Sequence, residues 1–206
     1  MKSLLFAIRG LKKGSVKKII GKRIGEFNNN SRYKNKIFSE LCFCILTANS
    51  TAERCINVQK QIKDGFENLS QNTLQKKLKS LRCRFHTKRT LYIIEARKKK
   101  KELFKELQNK DEKEIRKWLV KNIKGIGMKE ASHFLRNIGY KNIAIIDFHI
   151  IDLLSRYKLI KKPKKLTKEK YFEIENLLKK IAQKLNLTLG ELDLYLWFLE
   201  TGKVLK

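Results

Sequence analysis

Two glycines separated by one residue, Gly125 and Gly127, stand between stretches of helical periodicity and are followed closely by a lysine, Lys129. Glycine permits a tight hairpin and lets another backbone approach. A helix starting there presents free N–H groups and the positive end of its dipole, so it can hold a phosphate without reading any sequence. An ordinary helix–helix turn uses the same glycines, and on residue type Lys129 is a phosphate-binding cation or one solvent-facing lysine among many. Further on, Asp147 precedes an apolar run, Phe148–Tyr157, and suits an N-cap. Asp193 and Trp197, four apart on one helical face, offer a stacking surface beside a hydrogen-bond acceptor, or a core tryptophan under a surface carboxylate. His133 follows Lys129 by one helical turn and shares its face, a position where a lone histidine is more often structural.

Helices must position these groups. Ile37, Phe38, Leu41, Cys42, Ile45 and Leu46 recur as on a core-facing helix. Thr90 to about Leu107 reads as one helix that starts apolar and becomes lysine-rich. Ile115, Trp118, Leu119 and Ile123 form another stripe, and Met128, Ala131, Phe134, Leu135 and Ile138 a further one. Thr167 reads as an N-cap with Leu166 and Tyr171 as its hydrophobic staple, Thr188 with Glu191 as a capping box, and Gly202 as a C-cap. The longest strand-like run, Asn142–Ile146, is short enough to be an extended connector. Lys158–Lys165 reads as an exposed loop. The class is all-α.

Among the 206 residues, 49 Lys and Arg face 20 Asp and Glu, a formal charge of +29. Such a field suits a polyanion, because basic side chains displace the counterions condensed on phosphates. Anionic membranes share that attraction, and a lysine-rich compositional habit accounts for part of the excess. A hydrophobic fraction of 42% fills a core and argues against disorder. Cys42, Cys44, Cys55 and Cys83 form no C-x-x-C pair and read as structural thiols of a reducing compartment. The N-terminal apolar stretch is too short for a signal peptide, and no segment approaches the roughly 20 apolar residues of a membrane span. These features give the expectation of a cytoplasmic protein with no membrane association.

Ile123–Ala131, IKGIGMKEA, resembles the hairpin of the helix-hairpin-helix DNA glycosylase superfamily, whose pattern is close to L-P-G-V-G-x-K-x-A; Lys124 stands where proline is usual. Ile146-Asp147-Phe148-His149 stands where that family carries its aspartate in a V-D-x-H context. Phe38–Ser50, FSELCFCILTANS, is similar to the helix and turn near the start of the family's helical barrel. Arg82–Lys88, RCRFHTK, and Leu192–Lys206, LDLYLWFLETGKVLK, are similar to archaeal-type 8-oxoguanine DNA glycosylase/AP lyases. The resemblance runs from about residue 35 to the end. No cysteine follows Cys83, so the four-cysteine iron–sulfur motif of many endonuclease III-like relatives is not expected.

The resemblance implies two helical lobes, approximately 31–141 as the barrel and 1–30 with 142–206 as the second, with the hairpin at a cleft between them. It implies that Lys129 is the nucleophile, attacking C1′ of a flipped nucleotide as a neutral amine and forming a Schiff base that permits β-elimination. Asp147 would stabilise the developing sugar cation and help move protons. Trp197, Asp193, Lys206 and His133 would form the base pocket. Gly125, Gly127, Asn49 and Ser50 would hold DNA, with Phe85 as the wedge that fills the vacated stack and Arg84 beside it. No organic cofactor or metal is expected beyond a monovalent cation at the hairpin carbonyls. The expected partner is duplex DNA containing 8-oxoguanine, bound by a monomer. A glycosylase for oxidised pyrimidines, a non-catalytic helix-hairpin-helix DNA binder and an RNA- or chromatin-binding basic protein stay open.

Overall fold

The computed structural model describes residues 1–206, and every regular element in it is a helix. The chain opens with α1 (Lys2–Leu11) and α2 (Ser15–Asn30), continues through α3 (Lys34–Thr47), α4 (Ala52–Ile62), the short α5 (Gly65–Asn68) and α6 (Gln71–Ser80), and then α7 (His86–Lys98) and α8 (Lys100–Asn109). The hairpin joins α9 (Glu112–Asn122) to α10 (Met128–Asn137), and α11 (Phe148–Arg156), α12 (Lys168–Leu185) and α13 (Leu189–Thr201) complete it. Two compact units result: residues 1–27 with 139–206, and residues 28–138. No helix is long and apolar enough to cross a membrane.

In the unit of residues 28–138, α3 is the axis. Every residue from Ile37 to Thr47 except Ser39 is buried. A helix apolar on nearly all sides must be surrounded, and α4, α5, α7 and α10 pack around it. The stripe expected from its sequence is therefore one part of a fully enclosed helix. The single helix expected from Thr90 to about Leu107 is divided at Lys99. The break lets α7 face α3 and α6 while α8, with Leu103 buried, packs on α9. Arg97 fastens α5 beneath this corner, donating to the carbonyls of Gly65, Phe66 and Leu69 at 3.1, 2.7 and 2.7 Å.

α10 is buried from Ala131 to Asn137 although four of those residues are polar. A polar group removed from water must find a partner or destabilise the fold, and here neighbouring helices supply partners at both ends. Glu40 on α3 accepts from Asn137 Nδ2 at 2.9 Å and from Gln59 Nε2 at 3.1 Å. Arg136 donates to Asn137 Oδ1 at 2.9 Å, and Asn30 donates to the Asn137 carbonyl at 3.1 Å. Near the start of α10, Arg116 of α9, itself 1% exposed, donates to Ser132 Oγ at 3.2 Å, and Ser132 donates to the Met128 carbonyl at 2.9 Å.

In the other unit, α1 packs on α12 and α13, and α11 and α12 each pack on α13. The caps match the sequence reading. Thr167 accepts from Lys170 N at 3.3 Å, Thr188 and Glu191 cap each other, and Gly202 ends α13 in the left-handed region at φ 70°. The lysines of the Lys158–Lys165 loop are exposed. All four cysteines are free and buried, and no three His, Cys, Asp or Glu side chains converge as for a metal ion.

Replacing Asn137 with Ala leaves Glu40 and Arg136 each short of a buried partner. The expected cost is about 2 kcal/mol, or a fall in Tm of roughly 4–8 °C for a chain of this size. A thermal melt of Asn137→Ala that matched the wild type would contradict this account of α10.

Candidate active site

The hairpin is built as its glycines foretell. α9 stops at Asn122, Ile126 N–H closes a turn on the Ile123 carbonyl at 3.3 Å, and the buried Ile123 and Ile126 pin the turn to the core. Gly125 has φ +80°, and a Cβ placed on it would lie 2.5 Å from Tyr92 Cδ2. Both the backbone conformation and the closeness of the ring require glycine. Gly127 is the N-cap of α10, with its own N–H donating to Glu130 Oε2 at 3.3 Å. Glycine has no side chain to cap the first turn, so the end of α10 keeps the character of an anion site.

Lys129 is the second residue of α10. Its side chain is 25% exposed, and Nζ lies 3.7 Å from Glu130 Oε1. Burial pushes the neighbouring Cys55 thiol up from its ordinary value, and Ser50, Arg89 and the charge of Lys129 each oppose that shift. Lys129, Cys55 at the start of α4, Ser50 and Arg89 therefore occupy one neighbourhood.

Two loops meet there. Arg84 Nη1 donates to the Asn49 carbonyl at 3.1 Å, and Arg89 Nη2 donates to the Ala48 carbonyl. Arg89, 3% exposed, also reaches Cys83 Sγ at 3.5 Å. Asn49 at φ 54° and Phe85 at φ 55° are both in the left-handed region, which costs a non-glycine residue about 1–2 kcal/mol. The Phe85 ring is 54% exposed, with the Arg84 and Arg89 guanidinium groups 5.3 and 5.8 Å from its centroid. The structure thus brings Asn49, Ser50, Arg84 and Phe85 together as one surface, with a projecting aromatic ring supported by cations.

His133, expected on the face of Lys129, is 7% exposed and meets the Phe43 ring edge-on at 5.5 Å, which gives it a place in the core of this unit. The other three expected pocket residues belong to the unit containing residues 139–206. There Asp147 Oδ1 accepts from Ile150 N at 3.0 Å and caps α11, while Oδ2 has no partner in the protein. Phe148, 66% exposed, leans on His149 with ring centroids 3.9 Å apart, and His149 meets Trp197 edge-on at 4.9 Å. The Trp197 indole N–H is buried and donates to no acceptor in the protein. Asp193 is 9% exposed on the preceding turn of α13, and Lys206 is half-buried in the tail beyond Gly202.

The family model for 8-oxoguanine DNA glycosylase matches residues 20–187. The chain belongs to that family. Its relatives include a Methanocaldococcus jannaschii protein named 8-oxoguanine DNA glycosylase/AP lyase, 52% identical over 98% of this chain and 99% of its own length. A Korarchaeum cryptofilum protein of the same name is 48% identical over 95% and 94%. Among solved structures, the M. jannaschii 8-oxoguanine glycosylase/lyase in complex with a 15mer DNA containing 8-oxoguanine superposes with a TM-score of 0.95, at 50% identity, over 99% of this chain and all of that one. The Thermotoga maritima 8-oxoguanine DNA glycosylase gives 0.92 at 40% identity, over all of this chain and 99% of that one.

Within this 8-oxoguanine DNA glycosylase family member, sequence reasoning missed three contributors. Arg89 carries no signal, since a buried arginine in a run of basic residues looks like its solvated neighbours. Tyr92, which makes Gly125 obligatory, lies in another helix. Phe148 had a signal, a bulky apolar residue at the first position of a helix next to Asp147, but an N-terminal phenylalanine is equally at home in a core.

Gly125→Ala is expected to destabilise the fold by about 2 kcal/mol through its backbone conformation and its contact with Tyr92. The double variant Gly125→Ala with Tyr92→Ala should recover only the steric part relative to Tyr92→Ala alone, measured by urea unfolding. Equal costs of Gly125→Ala with and without Tyr92 would show that the ring is not what excludes a side chain there.

Proposed function

We propose that the protein is a bifunctional DNA glycosylase/AP lyase that excises 8-oxoguanine from duplex DNA, with Lys129 as nucleophile. The observation that carries this reading is the match, over essentially the whole chain, to a structure solved with DNA containing 8-oxoguanine. The site is consistent with the chemistry. In α10, Arg136 and His133 are buried, whereas Lys129 stays partly open in the first turn of the helix. The Lys129 amine would attack C1′ as the bond to the base breaks. Loss of a proton and opening of the sugar would give the Schiff base, from which β-elimination expels the 3′ phosphate. Asp147 would stabilise the positive charge developing on the sugar. Trp197 would stack on the base, and its indole N–H, which donates to no protein group, would donate to a base carbonyl or ring nitrogen.

In the same reading, the hairpin and the Arg84–Phe85 surface hold the duplex, and the excess of basic side chains binds it without regard to sequence. The reaction uses no organic cofactor. A monovalent cation at the hairpin would suit the carbonyl end of α9, the negative end of that helix dipole. The protein acts as a cytoplasmic monomer.

The test is trapping with borohydride, which reduces a Schiff base to a stable adduct. Wild type mixed with duplex DNA holding one 8-oxoguanine should give a covalent complex that is absent with Lys129→Gln and with undamaged DNA. Base release without an adduct would instead indicate a glycosylase that uses water, and the absence of both release and adduct would overturn the substrate.

A separate outcome is expected for Trp197→Phe, which keeps an aromatic ring but loses the N–H. Affinity for the lesion duplex should fall by about tenfold, the equivalent of one hydrogen bond, with affinity for undamaged duplex unchanged. An equal loss on both duplexes would place Trp197 outside the base pocket.

A further inference from the structure

Asp147 sits at the end of an unusual piece of chain. Residues Ile143, Ala144, Ile145 and Ile146 belong to no helix or strand, yet each is no more than 6% exposed. Their backbone groups must be satisfied by something other than a sheet ladder. Two side chains of α12, one turn apart, do this. Tyr171, 2% exposed, donates from its hydroxyl to the Ala144 carbonyl at 2.8 Å and accepts from Ile146 N at 3.4 Å. Glu175, 8% exposed, accepts from Ala144 N at 3.0 Å through Oε1. Ala144 is therefore held at both its N–H and its carbonyl, and Ile146, the residue before Asp147, at its N–H. Upstream, Gly190 N at the start of α13 donates to the Lys141 carbonyl at 3.1 Å.

We infer that Tyr171 and Glu175 are positioning residues for the excision reaction, acting as a strut that sets where the Asp147 carboxylate stands. The inference rests on the reading that Asp147 takes part in the reaction. A phenylalanine would fill the place of Tyr171 equally well in the core, so the hydroxyl serves the connector. A buried carboxylate is costly unless it is bonded, and Glu175 places Oε1 on the backbone amide of Ala144, three residues before Asp147. Neither side chain need touch DNA. Their effect passes through the backbone to the aspartate, and a small displacement of a reacting group lowers rates far more than it lowers binding.

The experiment compares Tyr171→Phe, Glu175→Gln, Glu175→Met and Asp147→Asn with wild type. For each, the single-turnover rate on an 8-oxoguanine duplex, the Kd for the same duplex and the Tm are measured. Tyr171→Phe should lower the rate between about tenfold and a hundredfold with Kd within about twofold. Glu175→Gln, whose amide oxygen can still accept from Ala144 N–H, should retain a rate close to wild type, whereas Glu175→Met, of similar size but with no oxygen, should fall as Tyr171→Phe does. Because Glu175→Gln and Glu175→Met differ in the acceptor, their comparison remains decisive if Tyr171→Phe folds poorly. Slow Asp147→Asn beside wild-type rates for Tyr171→Phe and Glu175→Met would overturn the strut. So would losses of rate that are matched by losses of affinity and Tm, or equal losses in the Gln and Met variants. A wild-type rate for Asp147→Asn would overturn the role of Asp147 itself.

Discussion

The unit that carries the hairpin depends on one constraint: α10 is a polar helix placed where water cannot reach. Ser132, His133, Arg136 and Asn137 all lie in its buried stretch. A hydrogen bond contributes only modestly when made, but an unmade one in the interior costs about 1–3 kcal/mol, so polar residues in a core specify their neighbours more strictly than apolar ones do. Glu40 of α3, Asn30 of α2 and Arg116 of α9 answer that requirement. Each belongs to a different helix, and together they fix the axial position of α10 as well as its distance. A leucine stripe in the same place would pack α10 against α3 while tolerating a small slide. Such a slide would move the whole first turn of α10, Lys129 and its backbone amides included.

The same logic operates in the other unit by different means. There the part that needs support is the irregular connector before α11, and the support comes from two side chains of α12 and one backbone amide of α13. In both units the element bearing the proposed reactive side chain, Lys129 or Asp147, is short, and longer helices behind it hold it in place. Carboxylates beside the proposed site do structural duty: Asp147 caps α11, and Glu130 next to Lys129 accepts from the hairpin amide of Gly127. A carboxylate already held by a helix amide has fewer orientations to lose when a substrate arrives.

How far the sequence foretold this depends on the range of each interaction. Thr167, Thr188 with Glu191, Gly202 and Asp147 act on residues within one turn, and their roles follow from local spacing. Gly125 was legible as a turn, though its second reason for being glycine, Tyr92, lies in another helix. The division at Lys99 was not legible, because helix propensity runs through the lysines unbroken and only the packing of α8 on α9 demands a corner. Tyr171 read as half of a staple with Leu166, since an aromatic at that spacing satisfies the pattern; its hydroxyl serves residues far away in sequence. Arg89 and Arg116 were invisible for the same reason. In a chain so rich in basic residues, nothing local separates a buried guanidinium from a solvated one.

Phe85 shows what such an arrangement implies for the history of the molecule. A chain selected for folding alone would place glycine or asparagine at φ 55°, relieve the backbone and remove a large apolar ring from the surface. The phenylalanine stands against both preferences, supported by two arginines that also tie down the facing loop. Position 85 is thus a place where persistence of the fold and usefulness of the surface pull in opposite directions. A substitution there that relaxes the backbone would therefore make the fold more durable at the expense of the projecting ring.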